Sequence, residues 1–189
     1  EARQNNRDAW KEKFGVEPTI NDIILQATAA ALKDNSSLNA ALVDGAIHQF
    51  AHINLNVAVD TEEGLTVPVV KNAGEAGLGD IAKAVAKLAE KARNRSLSPD
   101  DLEGGTFTVT NLGGMGVDWF TPVLNPPQAA ILGVGRVRRT PVVEGDDVVV
   151  RDSVTFVLSF DHRVVDGAPC ARFLARLKEL IEAPSSWLE

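Results

Sequence analysis

Helical and strand-like periods alternate along this chain in no repeating order, and that pattern restricts its possible folds more than any other feature. Apolar residues recur at the helical period in three stretches. In the first, Ile20, Ile23, Ile24, Ala27, Ala30 and Ala31 form a stripe that should end near Asp34-Asn35. Pro18, then Thr19 with Asp22 three positions on, give it a capping-box start. The second runs from Leu78 to Arg93, with Ile81, Val85, Leu88 and Ala92 inward and Lys or Glu outward. The third is Ala168 to Ile181. A polar, helix-compatible stretch from Arg3 to Phe14 ends at Gly15 and sets Trp10 and Phe14 one turn apart. Ser98-Pro99-Asp100-Asp101-Leu102 reads as a short helical turn, with a serine cap and proline at its first position.

Between these lie short runs with strand character. Asp44-Gly45 separates Ala40–Val43 from Ala46–Phe50, a hairpin signal. Ile53 to Asp60 alternates, with Ile53, Leu55, Val57 and Val59 on one side and Asn54, Asn56 and Ala58 on the other. Leu65 to Val70 follows, and Pro68 assigns it to a sheet edge or a bulge. Phe107–Leu112, Ala129–Val137 and Val154–Phe160 are further strands, and Val142-Val143 and Val148–Val150 flank a turn at Gly145-Asp146. Gly113-Gly114-Met115-Gly116 is predicted to be a flexible loop. Two or three helices and about eight strands in mixed order, with no repeat or linker, predict an α+β fold with a mixed or antiparallel sheet.

The 189 residues suit one domain, and 44% hydrophobic with 24% charged side chains is the balance of a soluble globular chain. Cys170 is the only cysteine, so neither an intrachain disulfide nor a cysteine zinc site is available, and a cytosol-like compartment is expected. The net charge of −7 argues against nucleic acid and anionic membrane surfaces as partners. No apolar run approaches the ~20 residues of a membrane span. The chain begins without Met in a helical stretch and reads as a segment of something longer, so missing targeting signals carry little weight.

The segment richest in chemistry is Ser159-Phe160-Asp161-His162-Arg163-Val164-Val165-Asp166-Gly167, between an apolar strand and the last helix. Histidine titrates near neutral pH and can take and return a proton, and Gly167 would allow a sharp turn before the helix. Spacing alone leaves a second reading open, a solvated turn with a surface ion pair among Asp161, Arg163 and Asp166. His48 and His52 flank a hairpin end and read as structural or exposed, and Cys170 as a buried, inert thiol. The Gly113–Gly116 loop lacks the lysine and following helix of a phosphate-binding loop. His162 and Asp166 are two ligands short of a usual metal site, so no metal is expected.

Asp161-His162-Arg163-Val164-Val165-Asp166-Gly167 resembles the signature of the dihydrolipoyl acyltransferase cores of 2-oxo acid dehydrogenase complexes. Three further segments are similar to that family in the same order: Val57–Asp60 with Gly64–Val70, Gly104–Gly113, and Asn125–Gly135. The resemblance runs from about Thr19 to Leu188. It implies that His162 is the general base for the thiol of coenzyme A, whose thiolate attacks the thioester of an acyl-dihydrolipoyl group. It implies that Thr110 donates a hydrogen bond to the tetrahedral oxyanion and that Asp166 fixes the loop. Acetyl is the weakly preferred acyl group.

The resemblance further implies a chloramphenicol-acetyltransferase-like two-layer sandwich with a mixed sheet, forming homotrimers with the site between subunits and a larger core built from trimers. Residues 1–189 would be the catalytic domain lacking its first elements. The lipoyl group would come from a domain outside this chain, and dehydrogenase and dihydrolipoamide dehydrogenase subunits would bind through the absent domains. The compartment would be cytoplasmic, or the mitochondrial matrix in a eukaryote. In Pro184-Ser185-Ser186-Trp187-Leu188-Glu189 the Trp187-Leu188 pair is expected to be an exposed tip that docks between trimers, the other reading being that Trp187 folds back on its own helix. An antibiotic O-acetyltransferase of the same fold would also use histidine and coenzyme A, and a non-catalytic scaffold subunit would need neither His162 nor Thr110. A peptide-synthetase condensation domain would carry a second histidine where Asp161 stands.

Overall fold

The computed structural model describes residues 2–184 and 187–188. Helices α1 (Ala2–Phe14) and α2 (Ile20–Asp34) lead the chain. Thr19 caps α2 as expected: its hydroxyl accepts the Asp22 amide at 3.2 Å, and the Asp22 carboxylate accepts the Thr19 amide at 2.7 Å. The inward arc of α2 differs from the expected stripe. Ile24, Leu25, Ala27, Thr28, Ala31 and Leu32 are buried while Ile20 is exposed, because two other helices pack against α2 and widen its covered face.

Strands β1 (Ala40–Val43) and β2 (Ala46–Gln49) form the expected hairpin, with Asp44 and Gly45 at φ of 50° and 78°. The run Ile53–Asp60 is cut in two. β3 (Leu55–Val57) enters the main sheet, whereas β4 (Val59–Thr61) pairs with β5 (Gly64–Thr66). After Pro68, β6 (Val69–Val70) is an edge strand, where the missing proline N–H leaves no ladder bond unmade. There follow α3 (Leu78–Arg93), α4 (Pro99–Leu102), β7 (Phe107–Asn111), β8 (Ala130–Val134), β9 (Arg138–Glu144), β10 (Asp147–Ser153), β11 (Phe156–Phe160) and α5 (Gly167–Glu182). Among the described residues this makes five α-helical segments and eleven strands, more than expected because the split runs count twice and α1 and α4 are both helical.

The main sheet has the order β11-β8-β7-β3-β6. Its three central strands are parallel to one another, and both edge strands run antiparallel to their neighbours, which makes the sheet mixed. Helices α2, α3 and α5 supply the second layer. Leu55, Phe107, Val109 and Leu132 from the strands meet Leu25, Leu32, Ile81, Phe173 and Leu177 from the helices in one core. The opposite face of the sheet carries buried polar side chains. Gln128 donates to Asn56 Oδ1 (2.7 Å) and to the Gly105 carbonyl (3.0 Å) and accepts from Thr108 (2.6 Å). Those bonds are what allow three polar residues to be buried there.

Three local expectations change. Gly113–Met115 is a 3-10 turn, closed by the Gly116 amide on the Gly113 carbonyl at 3.0 Å. The β9–β10 hairpin is longer than the valine pairs suggested and projects with Val143 and Val148 exposed. Trp187 is not an exposed tip: it packs on the core, and its Nε1 donates to the Leu180 carbonyl of α5 at 2.6 Å. Ser185, Ser186 and Glu189 of that segment lie outside the described residues. No helix among the described residues is long and apolar enough to cross a membrane.

Candidate active site

The histidine loop is shaped by Asp161. Its amide donates to the Ala129 carbonyl (2.8 Å), which continues the β11–β8 pairing by one residue. Its carbonyl accepts the amides of Val164 (2.9 Å) and Val165 (3.1 Å), closing a turn whose far end is anchored by buried Val165. Its carboxylate accepts the Arg163 amide (3.0 Å) and both Nε and Nη2 along one edge of the Arg163 guanidinium. The guanidinium and that amide hold the Asp161 carboxyl well down, at about 2. The turn is therefore made by an aspartate, and Gly167 is already inside α5 with open space around it.

His162 stands at the apex of this turn with 73% of its side chain exposed, its ring centroid 5.7 Å from that of Phe160. Nδ1 lies 3.6 Å from the carboxylate of Asp166, beyond hydrogen-bond length in the free chain. Asp166 is the N-cap residue of α5 by backbone conformation, but its side chain makes no capping bond. What fixes the loop is Asp161, and the Asp166 carboxylate faces the imidazole.

Thr110 is the fourth residue of β7, half-buried, two positions on from Thr108 and paired in register with Gly133. That register places it on the sheet face away from the helices, where Phe120 and Pro122 come against Gly133. Thr110 and His162 are at opposite ends of the sheet. Phe160 pairs with Ala130 and Thr110 with Gly133, and the two strands leave in opposite directions. Three residues of β8 already separate them by about 10 Å along the strand, before the two strand spacings and the loop are added. One chain does not bring them to a common atom.

Cys170 is buried in α5, and burial pushes its thiol up to about 11. His48 and His52 are exposed. Among the described residues, no group of three or more His, Cys, Asp or Glu side chains gathers as a metal site. A cavity of about 290 Å³ lies between the end of α2 and the loops that hold His52 and Asn72, away from both candidate residues. Sequence reasoning missed the Gln128–Asn56–Thr108 network and the pairing of Arg136 and Arg138 with Asp118 beside the end of β8. The network's signal was present as polar residues at alternate positions of two strands, but only the sheet order shows that these strands adjoin.

The family model for the 2-oxoacid dehydrogenases acyltransferase catalytic domain matches residues 1–189. The chain belongs to this family. An acyltransferase relative from Arabidopsis thaliana, the mitochondrial dihydrolipoyllysine-residue acetyltransferase component 2 of the pyruvate dehydrogenase complex, is 47% identical over 173 residues, which cover 90% of this chain and 32% of the relative. The lipoamide acyltransferase component of the branched-chain alpha-keto acid dehydrogenase complex of Bacillus subtilis is 42% identical over 96% of this chain and 43% of its own length. The chain thus spans less than half of either relative.

Solved acyltransferase structures superpose closely. The dihydrolipoamide acetyltransferase of Azotobacter vinelandii, studied for the role of a serine, a histidine and an asparagine in its catalytic mechanism, gives a TM-score of 0.90 at 38% identity, covering 95% of this chain and 74% of that one. The cubic core of a pyruvate dehydrogenase multienzyme complex gives the same values. Chloramphenicol acetyltransferase gives 0.57 at 13% identity over 94% of this chain and 81% of that one, which shows the shared α+β fold.

Proposed function

We propose that this domain transfers an acyl group, acetyl in the first instance, between a dihydrolipoyl group and coenzyme A, at a site formed by His162 of one copy and Thr110 of another. One observation carries the residue assignment. Thr110, His162 and Asp166 stand 52 and four positions apart, the spacings of the serine, histidine and asparagine addressed in the Azotobacter enzyme. The separation of Thr110 from His162 within one chain supports a site shared between copies.

In this mechanism His162 turns Nδ1 to Asp166 and leaves Nε2 to take the proton of the coenzyme A thiol. A thiol of ordinary pKa, about 8.5, suits an imidazole base near neutrality. The thiolate adds to the acyl carbonyl carbon, and the Thr110 hydroxyl donates to the resulting oxyanion. Collapse breaks the carbon–sulfur bond to the lipoyl group, and His162 returns its proton to that sulfur. The Asp166 carboxylate steadies the imidazolium meanwhile; its 3.6 Å separation shortens when the ring is charged.

The lipoyl group reaches the site from a segment outside residues 1–189 or in trans. Copies assemble as homotrimers and trimers as a larger core, working with lipoyl domains, a dehydrogenase and dihydrolipoamide dehydrogenase. The setting is the bacterial cytoplasm or the mitochondrial matrix, according to source. The much weaker likeness to chloramphenicol acetyltransferase disfavours an antibiotic acceptor. Transfer from acetyl-coenzyme A to free dihydrolipoamide, compared with His162→Ala, tests the reading. A loss of at least ~10²-fold is expected; an unimpaired variant would sink it.

A further inference from the structure

The strand end that carries Thr110 is paired on one side only. β3 stops opposite Val109, at Val57, while β8 continues beside Thr110 and Asn111 to Val134. Beyond Val109 the chain also leaves the buried core, Thr110 being half-buried and Asn111 exposed. A strand end held by a single ladder frays more readily than one held by two, yet a transition-state donor must be held within a fraction of an ångström.

Asn111 supplies the missing tether. Its Oδ1 accepts the Gly113 amide at 2.8 Å, bending the chain into the 3-10 turn, and its Nδ2 donates to Asn21 Oδ1 at 3.0 Å. The Gly113 amide is a donor and needs an oxygen, so the amide orientation of Asn111 follows, and then that of Asn21. Asn21 lies in the first turn of α2, which the Thr19–Asp22 capping box holds rigid. The turn that Asn111 starts sits directly on the chain leaving β8: a Cβ on Gly113 would come 2.6 Å from the Gly135 carbonyl oxygen. Two residues 90 positions apart thus join the end of β7 to the start of α2.

We infer that Asn111 and Asn21 form a positioning clip that sets the Thr110 hydroxyl for transition-state stabilisation, touching neither substrate. This rests on the oxyanion role proposed for Thr110. In the assembled protein, Asn111→Ala and Asn21→Ala should each lower kcat about tenfold, with KM for coenzyme A and for dihydrolipoamide changed less than twofold. Asn21→Asp keeps the acceptor and should recover most of the rate lost in Asn21→Ala. In a Thr110→Ala background, Asn111→Ala should cause no further loss, since a clip with nothing to position has no effect.

Equal fold-losses in the two backgrounds, or a kcat within twofold of wild type for both alanine variants, would overturn the clip while leaving the role of Thr110 intact. A Thr110→Ala variant with unchanged kcat would overturn the oxyanion reading and the clip with it. Unchanged thermal midpoints in the Asn21 pair, whose side chains lie at the surface, separate positioning from loss of folded protein.

Discussion

Asp161 and Arg163, two residues apart, close a bidentate ion pair of 2.9 and 2.6 Å within the histidine loop. The arginine is thereby committed to shaping the turn that presents His162. Because the Asp161 carboxyl is held near 2, below its ordinary 3.8, its contribution is present above about pH 4 and is lost as pH falls toward 2. Carbon NMR of the Asp161 carboxyl should titrate near 2 in the wild type and nearer its ordinary value in Arg163→Ala. The amides of Val164 and Val165 should lose hydrogen-exchange protection over the same acid window. An unperturbed midpoint in the wild type would contradict the pairing.

A site shared between copies has a direct signature. His162→Ala and Thr110→Ala protomers, each nearly inactive alone, should regain activity when mixed and reassembled. Random pairing around a cyclic trimer returns both intact residues to about a quarter of the sites. The measurement is acyl transfer before and after subunit exchange. No recovery, with exchange verified by mass spectrometry, would place both residues in one chain's site and contradict the geometry described here.

Trp187 returns to its own helix, donating to the Leu180 carbonyl and covering the core edge. Trp187→Ala should therefore lower unfolding free energy by ~2 kcal/mol, less than a fully buried tryptophan because the side chain is only half covered. Denaturant unfolding of the isolated variant reads this. Unchanged stability would favour the tip-like role expected from sequence.

Cys170 should resist alkylation. With the thiol buried and pushed up to about 11, the thiolate is scarce at pH 8, and iodoacetamide should leave the native protein unmodified by mass spectrometry while labelling it fully in denaturant. Cys170→Ala should keep transfer activity within about twofold, with a stability loss on the order of 1 kcal/mol. Rapid labelling of the folded protein would show the helix to be more open than described.

Local patterns were legible where a residue's conformation depends on its neighbours in sequence. The Thr19–Asp22 cap, the Asp44-Gly45 turn, the Leu78–Arg93 helix and the edge role enforced by Pro68 all arise from short-range sterics and hydrogen bonds. The break at Ala58 was not legible, because alternation continues through it; β4 leaves the sheet to pair with β5. The burial of Asn56 and Thr108 was not legible either, because Gln128, which satisfies them, comes from a distant loop.

The candidate site divides along the same line. His162, Asp166 and Thr110 were assigned from the resemblance of their segments to family motifs, because reactive side-chain types in order survive in the primary sequence. The resemblance implied a site between subunits, but residue order alone did not show how far apart one chain holds Thr110 and His162. Parallel pairing of β7 with β8 and antiparallel pairing of β8 with β11 send the two strand ends to opposite sides of the sheet. The roles of Asp161 and Asn111 also emerged only from the fold, since each acts through hydrogen bonds whose partners are chosen by packing. The sequence by itself determined which reactive side chains the chain carries and where its caps, tight turns and longer helices fall. The tertiary structure decided where each group points and that one chain holds Thr110 and His162 apart, because strand order and register depend on contacts between residues far apart in sequence.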